Sequence, residues 1–218
     1  MKFGIVEFPG SNCDRDMQDA LQRLNKEVVM LWHKDKDISM FNIDDCIVLP
    51  GGFSYGDYLR CGAIARFSPM MQSVIDFANK GGKVLGVCNG FQILCESDLL
   101  PGVLLRNGSQ QFICKNIFLK SIEDDILKIP IAHGEGRYYA DEKLLDELEE
   151  NKQVIFRYCD EKGVCESSGN PNGAFRNIAG IKNKEGNVFG MMPHPERAVS
   201  PELGNVDGLK VFSLLGLN

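Results

Sequence analysis

The segment Lys83–Leu94, KVLGVCNGFQIL, most constrains the fold of this 218-residue chain. Its apolar first half predicts a short buried strand, Lys83–Val87, and its second half predicts a helix that begins directly after Cys88. Gly86 and Gly90 flank the cysteine, which is the pattern of a nucleophile elbow, a sharp strand-to-helix turn that exposes one reactive side chain. Glycine is needed at both positions because strand and helix pass too close there for a Cβ.

Cys88 is therefore the candidate nucleophile. A thiol at the start of a helix is favoured in its thiolate form by the positive end of the helix dipole and by unpaired backbone N–H groups. The simpler interpretation is an inert buried cysteine, which is what most cysteines are. The two flanking glycines and the apolar run before them favour the functional interpretation.

The other seven cysteines predict neither disulfides nor a metal site. The start of the chain has too short an apolar run for a secretion signal, and a chain of this length needs no crosslinks to fold. No C-x-x-C pair occurs, so the cysteine spacing does not indicate zinc or any other metal.

The elements before the elbow predict an α/β fold. Strands are expected over Lys2–Phe8, Val28–Trp32 and Cys46–Leu49, and a helix over Asp14–Leu24 separates the first two. This order indicates a mostly parallel sheet with helices on both faces.

The later elements extend this prediction. Ser11 or Asn12 is expected to cap the first helix. The segments Ile178–Lys182 and Val188–Met192 predict a hairpin, which adds a small antiparallel portion. Further helices are predicted over Arg66–Asn79, Asp141–Glu150 and Val206–Leu215. Since repeats and linkers are absent, residues 1–218 are expected to form one domain.

The charge pattern excludes several classes of partner. The net charge is −6 and no block of basic residues occurs, so neither nucleic acid nor an anionic membrane is an expected partner. No apolar run reaches the length of a membrane span. We therefore expect a cytoplasmic protein.

A cysteine nucleophile needs a base, and the base needs an orienting group. Of the three histidines, His33 follows a strand and is expected to be an ordinary surface residue. His133 and His194 each precede a glutamate by two residues, Glu135 and Glu196, and either glutamate could hold its histidine ring. The flanking prolines and the preceding buried strand modestly favour the second pair.

Backbone amides are the expected donors to an oxyanion. The amide of Asn89 directly follows the nucleophile. A second donor is expected near Gly52, because Gly51-Gly52 also follows a strand of the parallel sheet. Ligands bind at the carboxyl ends of such strands, so both glycines and Cys88 are expected to share one cleft.

Several motifs together resemble the class I, or triad-type, glutamine amidotransferases. They are GVCNGFQ, PGG and HPE, and the resemblance narrows to the glutaminase-subunit family of phosphoribosylformylglycinamidine synthase through GGFSYGDYLRCGAIAR, IAHGEGRY, NPNGAFRNIAGI and GMMPHPER. These motifs run nearly end to end and in order. The resemblance implies the class I glutamine amidotransferase fold, an α/β fold with a flavodoxin-like, open, mostly parallel twisted sheet.

The resemblance also implies residue roles. Cys88 would attack the side-chain amide of L-glutamine, and His194, oriented by Glu196, would transfer the protons. Gly52 and Asn89 would hold the oxyanion. The remaining implied pocket residues are Gln92, which would contact glutamine, and Phe53, His133, Gly134 and Arg137.

The implied partners are a large ATP-dependent synthetase subunit, which receives the ammonia, and a small accessory subunit. The chain has neither G-x-x-x-x-G-K-[ST] nor G-x-G-x-x-G. No cofactor is therefore expected on this chain, and ATP and Mg²⁺ are expected on the synthetase.

Two other functions stay open at this point. A cysteine hydrolase or chaperone-like protein could use the same sheet and elbow, but it would carry a histidine soon after the cysteine, and none occurs between Cys88 and His133. A non-catalytic binding subunit would lack a member of the triad, whereas all three candidates are present.

Overall fold

The computed structural model describes residues 1–217, so Asn218, the last residue of the predicted domain, lies outside the described residues. The strands are β1 Lys2–Glu7, β2 Glu27–Trp32, β3 Cys46–Leu49, β4 Lys83–Val87, β5 Val103–Leu105, β6 Ile113–Ser121, β7 Ile126–His133, β8 Arg137–Tyr139, β9 Val154–Cys159, β10 Ile178–Lys182 and β11 Val188–Met191. The helices are α1 Asp14–Arg23, α2 Pro69–Asn79, α3 Asn89–Glu96, α4 Glu142–Glu150 and α5 Asp207–Leu214.

Within residues 1–217, nine strands form one sheet in the order β2-β1-β3-β4-β11-β10-β9-β6-β7. The strands from β2 to β11 are parallel to one another. From β1 the chain moves outward in one direction to β2, and from β3 it moves in the opposite direction to β4. Because both crossovers are right-handed, α1 and α2 lie on opposite faces of the sheet. The carboxyl ends of β1, β3, β4 and β11 therefore meet at one edge, where such sheets bind ligands.

The other half of the sheet is antiparallel, from β11 through β10, β9 and β6 to β7. A separate two-stranded sheet pairs β5 with β8. The predicted α/β fold, with a parallel sheet and an antiparallel portion, is confirmed, and the antiparallel portion is larger than the predicted hairpin. The sequence patterns did not reveal β8, because three residues are too few for a period to be visible.

The elbow depends on two close approaches of backbone. A Cβ on Gly90 would overlap the carbonyl oxygen of Leu49 at the end of β3, and a Cβ on Gly86 would lie 2.6 Å from the carbonyl oxygen of Gly90. Helix α3 is therefore seated directly on β3 and β4. The core beneath it is apolar and includes Phe91 and Leu94, both fully buried.

Three local expectations need correction. The N-cap of α1 is Cys13 with no side-chain cap, because the Ser11 hydroxyl instead bonds the backbone of Phe8. Helix α2 begins at Pro69, three residues later than predicted, since proline suits the first helical turn. His33 is not a surface residue: it is 4% exposed and lies 2.6 Å from the Tyr55 hydroxyl.

No helix within residues 1–217 has both the length and the apolar character needed to cross a membrane.

The close seating of α3 predicts the effect of one methyl group. Gly90→Ala is expected to lower the free energy of unfolding by about 1–3 kcal/mol or more, because the clash is with backbone that cannot move aside. Gly108→Ala is the matched control, since its Cβ would lie 3.5 Å from the nearest atom. Urea denaturation measures both variants. Equal losses in the two variants would contradict the proposed packing at the elbow.

Candidate active site

Cys88 lies between the end of β4 and the start of α3 with a strained backbone, φ 51° and ψ −106°. Such a conformation is rarely adopted by a residue with a side chain, and it turns the thiol out of the sheet edge. The thiol is 3.7 Å from the carbonyl oxygen of Ala132, to which it donates. The residue is 5% exposed, so the sulfur at the start of α3 is largely shielded from solvent.

His194 and Glu196 form a buried pair beside this thiol. The His194 Nδ1 is 2.6 Å from the Glu196 Oε1, and the two side chains are 1% and 0% exposed. Strand β11 is the parallel neighbour of β4, so the residues after β11 emerge next to the elbow. A 3₁₀ turn over Pro195–Arg197 places the Glu196 carboxylate within hydrogen-bond distance of the His194 ring. The backbone N–H of His194 donates to the carbonyl of Pro130, which fixes the turn against β7.

The surroundings of His194 favour its protonated form. Burial opposes protonation, but the charge of Glu196 and the nearby sulfur of Cys88 outweigh it and raise the pKa of His194 above its ordinary value. Its Nε2 is buried and has no hydrogen-bond partner at standard geometry among residues 1–217. An imidazolium beside a thiol is the arrangement that can stabilise a thiolate and later supply a proton.

The other His-x-Glu pair is built differently. The His133 Nδ1 lies 3.0 Å from the Asn107 Oδ1, whereas Glu135 contacts the backbone N–H of Cys61 and the Arg106 guanidinium. Burial, reinforced by the nearby His194, lowers the pKa of His133 to about 4. His133 is therefore a neutral ring held by an amide, and of these two histidines only His194 has a carboxylate partner among residues 1–217.

Asn107 is a residue that the sequence patterns did not reveal. Its Nδ2 donates to the carbonyls of Gln111 and His133, and its Oδ1 accepts from the Gly136 N–H. These contacts orient the amide, so His133 donates through Nδ1 and its Nε2 keeps a lone pair. Nothing in the spacing of residues 107 and 133 indicates this contact, which the tertiary fold creates.

Two backbone N–H groups are free to hold an oxyanion. The Gly52 N–H has no acceptor among the described residues, and Asn89 opens α3, where first-turn N–H groups lack helical acceptors. Gly52 adopts φ 131°, and a Cβ there would lie 2.6 Å from the Asn12 nitrogen. A Cβ on Gly51 would lie 2.7 Å from the His194 Cε1, so this glycine loop borders the imidazole.

Gln92 lies one helical turn after the thiol, with both polar atoms of its amide hydrogen-bonded. Its Oε1 accepts from the Asn89 Nδ2, and its Nε2 donates to the Glu135 carbonyl at 2.6 Å. The Asn89 Oδ1 in turn accepts from the Ser54 N–H. This chain of contacts ties the elbow to the loop after β3 and to the loop after β7.

The three remaining predicted pocket residues lie in the loop after β3, in the loop after β7 and on β8. Phe53 is 46% exposed, and its ring lies 6.4 Å from that of Phe112. Gly134 accepts from the Asn107 N–H through its carbonyl. Arg137 is on β8, and its buried Nε has no hydrogen-bond partner among residues 1–217. A small cavity beside His194 is lined by Gly52, Phe53 and Phe112, among others.

All eight cysteines are free thiols, and residues 1–217 contain no group of three or more His, Cys, Asp or Glu side chains able to hold a metal ion.

The geometry of the site is that of a triad-type thiol hydrolase. It combines a thiol at an elbow, an imidazole held by a carboxylate and two free backbone N–H groups.

Comparison with known proteins agrees with this class. A family model for the CobB/CobQ-like glutamine amidotransferase domain matches residues 1–207. The phosphoribosylformylglycinamidine synthase subunit PurQ of Gloeobacter violaceus is 52% identical over 99% of this chain and 97% of its own length. That of Moorella thermoacetica is 54% identical over 98% of this chain and 94% of its own.

A solved structure agrees as well. A chain in the structure of PurLQS from Thermotoga maritima is 40% identical, with a TM-score of 0.84, and the match covers 98% of this chain and 96% of that one. The chain therefore belongs to the CobB/CobQ-like glutamine amidotransferase family, in the branch of its PurQ relatives.

The neutral state of His133 predicts a pH dependence of stability. Its pKa is about 4 in the folded protein and 6.5 when unfolded, so only the unfolded chain takes up the proton as the pH falls through this window. The stabilising contribution is present above pH 6.5, and up to about 3 kcal/mol of it is lost by pH 4. His194, with a raised pKa, acts in the opposite sense and at higher pH.

Urea unfolding of wild type and His133→Gln, between pH 7.5 and 4.5, measures this contribution. Glutamine does not titrate, so the variant is expected to lose less stability on acidification than the wild type. The carboxylates and the other histidines titrate in both proteins, so their contributions to the free energy of unfolding cancel in the difference. Parallel pH profiles would contradict the neutral assignment of His133.

Proposed function

We propose that this chain is the glutaminase subunit of phosphoribosylformylglycinamidine synthase. It hydrolyses L-glutamine to glutamate and ammonia and supplies the ammonia to a synthetase subunit. The synthetase subunit uses this ammonia to convert formylglycinamide ribonucleotide to formylglycinamidine ribonucleotide, a step of purine biosynthesis. The observation that carries the proposal is the Cys88 elbow beside the buried His194–Glu196 pair, in a chain 52% and 54% identical to two PurQ subunits.

In the first half of the proposed reaction, the Cys88 thiolate attacks the amide carbon of glutamine and a C–S bond forms. The amide oxygen becomes an oxyanion, which the N–H groups of Gly52 and Asn89 stabilise. Each such donor contributes about 10²–10³ in rate. The His194 imidazolium then gives its proton to the amide nitrogen, the C–N bond breaks and ammonia leaves, with a γ-glutamyl thioester on the sulfur.

In the second half, neutral His194 takes a proton from water as the water attacks the thioester carbon. The same two amides hold the second oxyanion, and the C–S bond breaks to release glutamate. Glu196 keeps the ring oriented through Nδ1, so that Nε2 faces the reacting atoms in both halves. The raised pKa of His194 suits the proton donor of the first half.

We assign the walls of the glutamine pocket to the residues around this triad. Gln92 binds the Glu135 carbonyl and so holds the loop of His133, Gly134 and Arg137 beside α3. These contacts use one N–H and one oxygen lone pair of the Gln92 amide, so its second N–H and second lone pair are left for contact with glutamine. Phe53 lines the cavity beside His194 together with Gly52.

The proposed partners are the ATP-dependent synthetase subunit and a small accessory subunit. Membership of a complex is supported by the similar chain found in the PurLQS structure. We place ATP and Mg²⁺ on the synthetase and no cofactor on this chain, which we treat as one glutaminase domain over residues 1–218. A cytoplasmic location agrees with eight free thiols, since that compartment keeps cysteines reduced.

The assembled complex allows one experiment to test both the chemistry and the ammonia supply. Product formation is measured with either glutamine or ammonium chloride as the nitrogen source. Cys88→Ala and His194→Ala are expected to lose at least about 10³-fold of glutamine-dependent activity while ammonium-dependent activity is retained. Cys114→Ala, which removes an exposed thiol, is the control and is expected to keep both activities.

Several results would contradict the proposal. Glutamine-dependent activity that survives Cys88→Ala would exclude the thioester. Loss of turnover in His133→Ala but not in His194→Ala would assign the base to the other histidine. Equal loss of both nitrogen sources in Cys88→Ala would show that the thiol does more than release ammonia.

A further inference from the structure

A hydrogen-bonded group of two buried residues and one half-buried residue lies next to the glycine loop and takes no part in the chemistry described above. The His33 Nδ1 is 2.6 Å from the Tyr55 hydroxyl, which is 2.9 Å from the Ser68 hydroxyl. His33 directly follows β2, Tyr55 lies in the loop after β3, and Ser68 directly precedes α2. We call them the Tyr55 anchor.

His33 is a fixed point within this anchor. Its ring packs edge-on against Trp32, with centroids 4.5 Å apart, and lies 6.5 Å from the ring of Phe8. Its backbone is bonded on both sides, since its N–H donates to the Glu7 carbonyl and its carbonyl accepts from the Met70 N–H. Burial, together with the neighbouring charge of Lys34, lowers the pKa of His33.

Tyr55 needs such an anchor because its backbone is left-handed. It adopts φ 53° and ψ 27°, and the next two residues also have positive φ. Residues with side chains persist in this region only where their surroundings leave no alternative. The Tyr55 N–H donates to the Pro9 carbonyl at 2.6 Å, and the hydroxyl supplies the second fixed point.

The segment from Gly52 to Tyr55 is therefore tied at several points. The Phe53 N–H donates to the Gly10 carbonyl, and the Ser54 N–H donates to the Asn89 side chain next to the nucleophile. The Tyr55 hydroxyl fixes the far end. Because Gly52 has no side chain of its own, the direction of its free N–H depends on these neighbours.

We propose that the Tyr55 anchor is a positioning device for the oxyanion site: the bonds of the Tyr55 hydroxyl to His33 and Ser68 hold the Gly52 N–H in line with the oxyanion. The inference rests on the proposed glutaminase function and adds a residue to it that never touches the substrate. Its loss reduces stabilisation of the tetrahedral state and leaves binding of ground-state glutamine nearly unchanged.

The test compares Tyr55→Phe with Tyr58→Phe in the assembled complex. Both variants remove one phenolic hydroxyl from the same loop, but Tyr58 is 74% exposed and its hydroxyl has no hydrogen bond among residues 1–217. Tyr55→Phe is expected to lower kcat for glutamine hydrolysis about 10-fold or more with KM changed by less than a factor of about three. Tyr58→Phe is expected to match the wild type.

Two probes of Cys88 separate positioning from general damage. Glutamate γ-semialdehyde forms a tetrahedral adduct with the thiol and needs the oxyanion site, so its affinity is expected to fall in Tyr55→Phe by the same factor as kcat. Iodoacetamide alkylates the thiol without an oxyanion, so its rate is expected to stay at the wild-type value. His33→Asn, which keeps a polar atom near the position of Nδ1, is expected to retain more kcat than His33→Leu.

Each contrary result has a distinct meaning. Equal kcat in Tyr55→Phe and Tyr58→Phe overturns the anchor. A parallel fall in aldehyde affinity, alkylation rate and melting temperature assigns Tyr55 a purely structural role and also overturns it. A wild-type complex that neither hydrolyses glutamine nor captures the aldehyde refutes the proposed function itself, before any variant is compared.

Discussion

The site depends on one steric constraint, the contact between α3 and the ends of β3 and β4. Helix and sheet meet there with no side chain between them, because Gly86 and Gly90 leave room for backbone alone. The chain can pass from strand to helix in a single residue only through the strained backbone of Cys88. The strain and the close packing are therefore one feature, and both aim the thiol at the edge of the sheet.

Sheet topology does the rest of the assembly. β11 lies parallel to β4, so His194, 106 positions after the nucleophile, emerges beside it. β3 lies on the other side of β4 and delivers Gly52 to the same edge. His194 and His133 have similar sequence contexts, but their electrostatic surroundings shift their pKa values in opposite directions. The carboxylate partner raises the pKa of His194 and so favours the protonated ring, which can act as a proton donor. Burial lowers the pKa of His133, whose ring stays neutral beside an amide.

Local patterns predicted the parts of the molecule that are locally determined. The elbow is visible as two glycines around a cysteine, and the α/β class follows from the order of strands and helices. The patterns could not separate the two His-x-Glu pairs decisively, because Asn107 reaches His133 only through the tertiary fold. For the same reason the sequence does not reveal the burial of His33, because its partner, Tyr55, is 22 positions away.

The proposed mechanism has one thiol among the eight, that of Cys88, react with the amide carbon of glutamine. Its most direct test is covalent capture by a glutamine analogue that carries an electrophilic carbon in place of the amide, with peptide mass spectrometry to locate the adduct. We expect a single adduct on Cys88, suppressed by excess glutamine, while exposed Cys114 stays unmodified. Labelling spread over several cysteines, or insensitive to glutamine, would contradict the account.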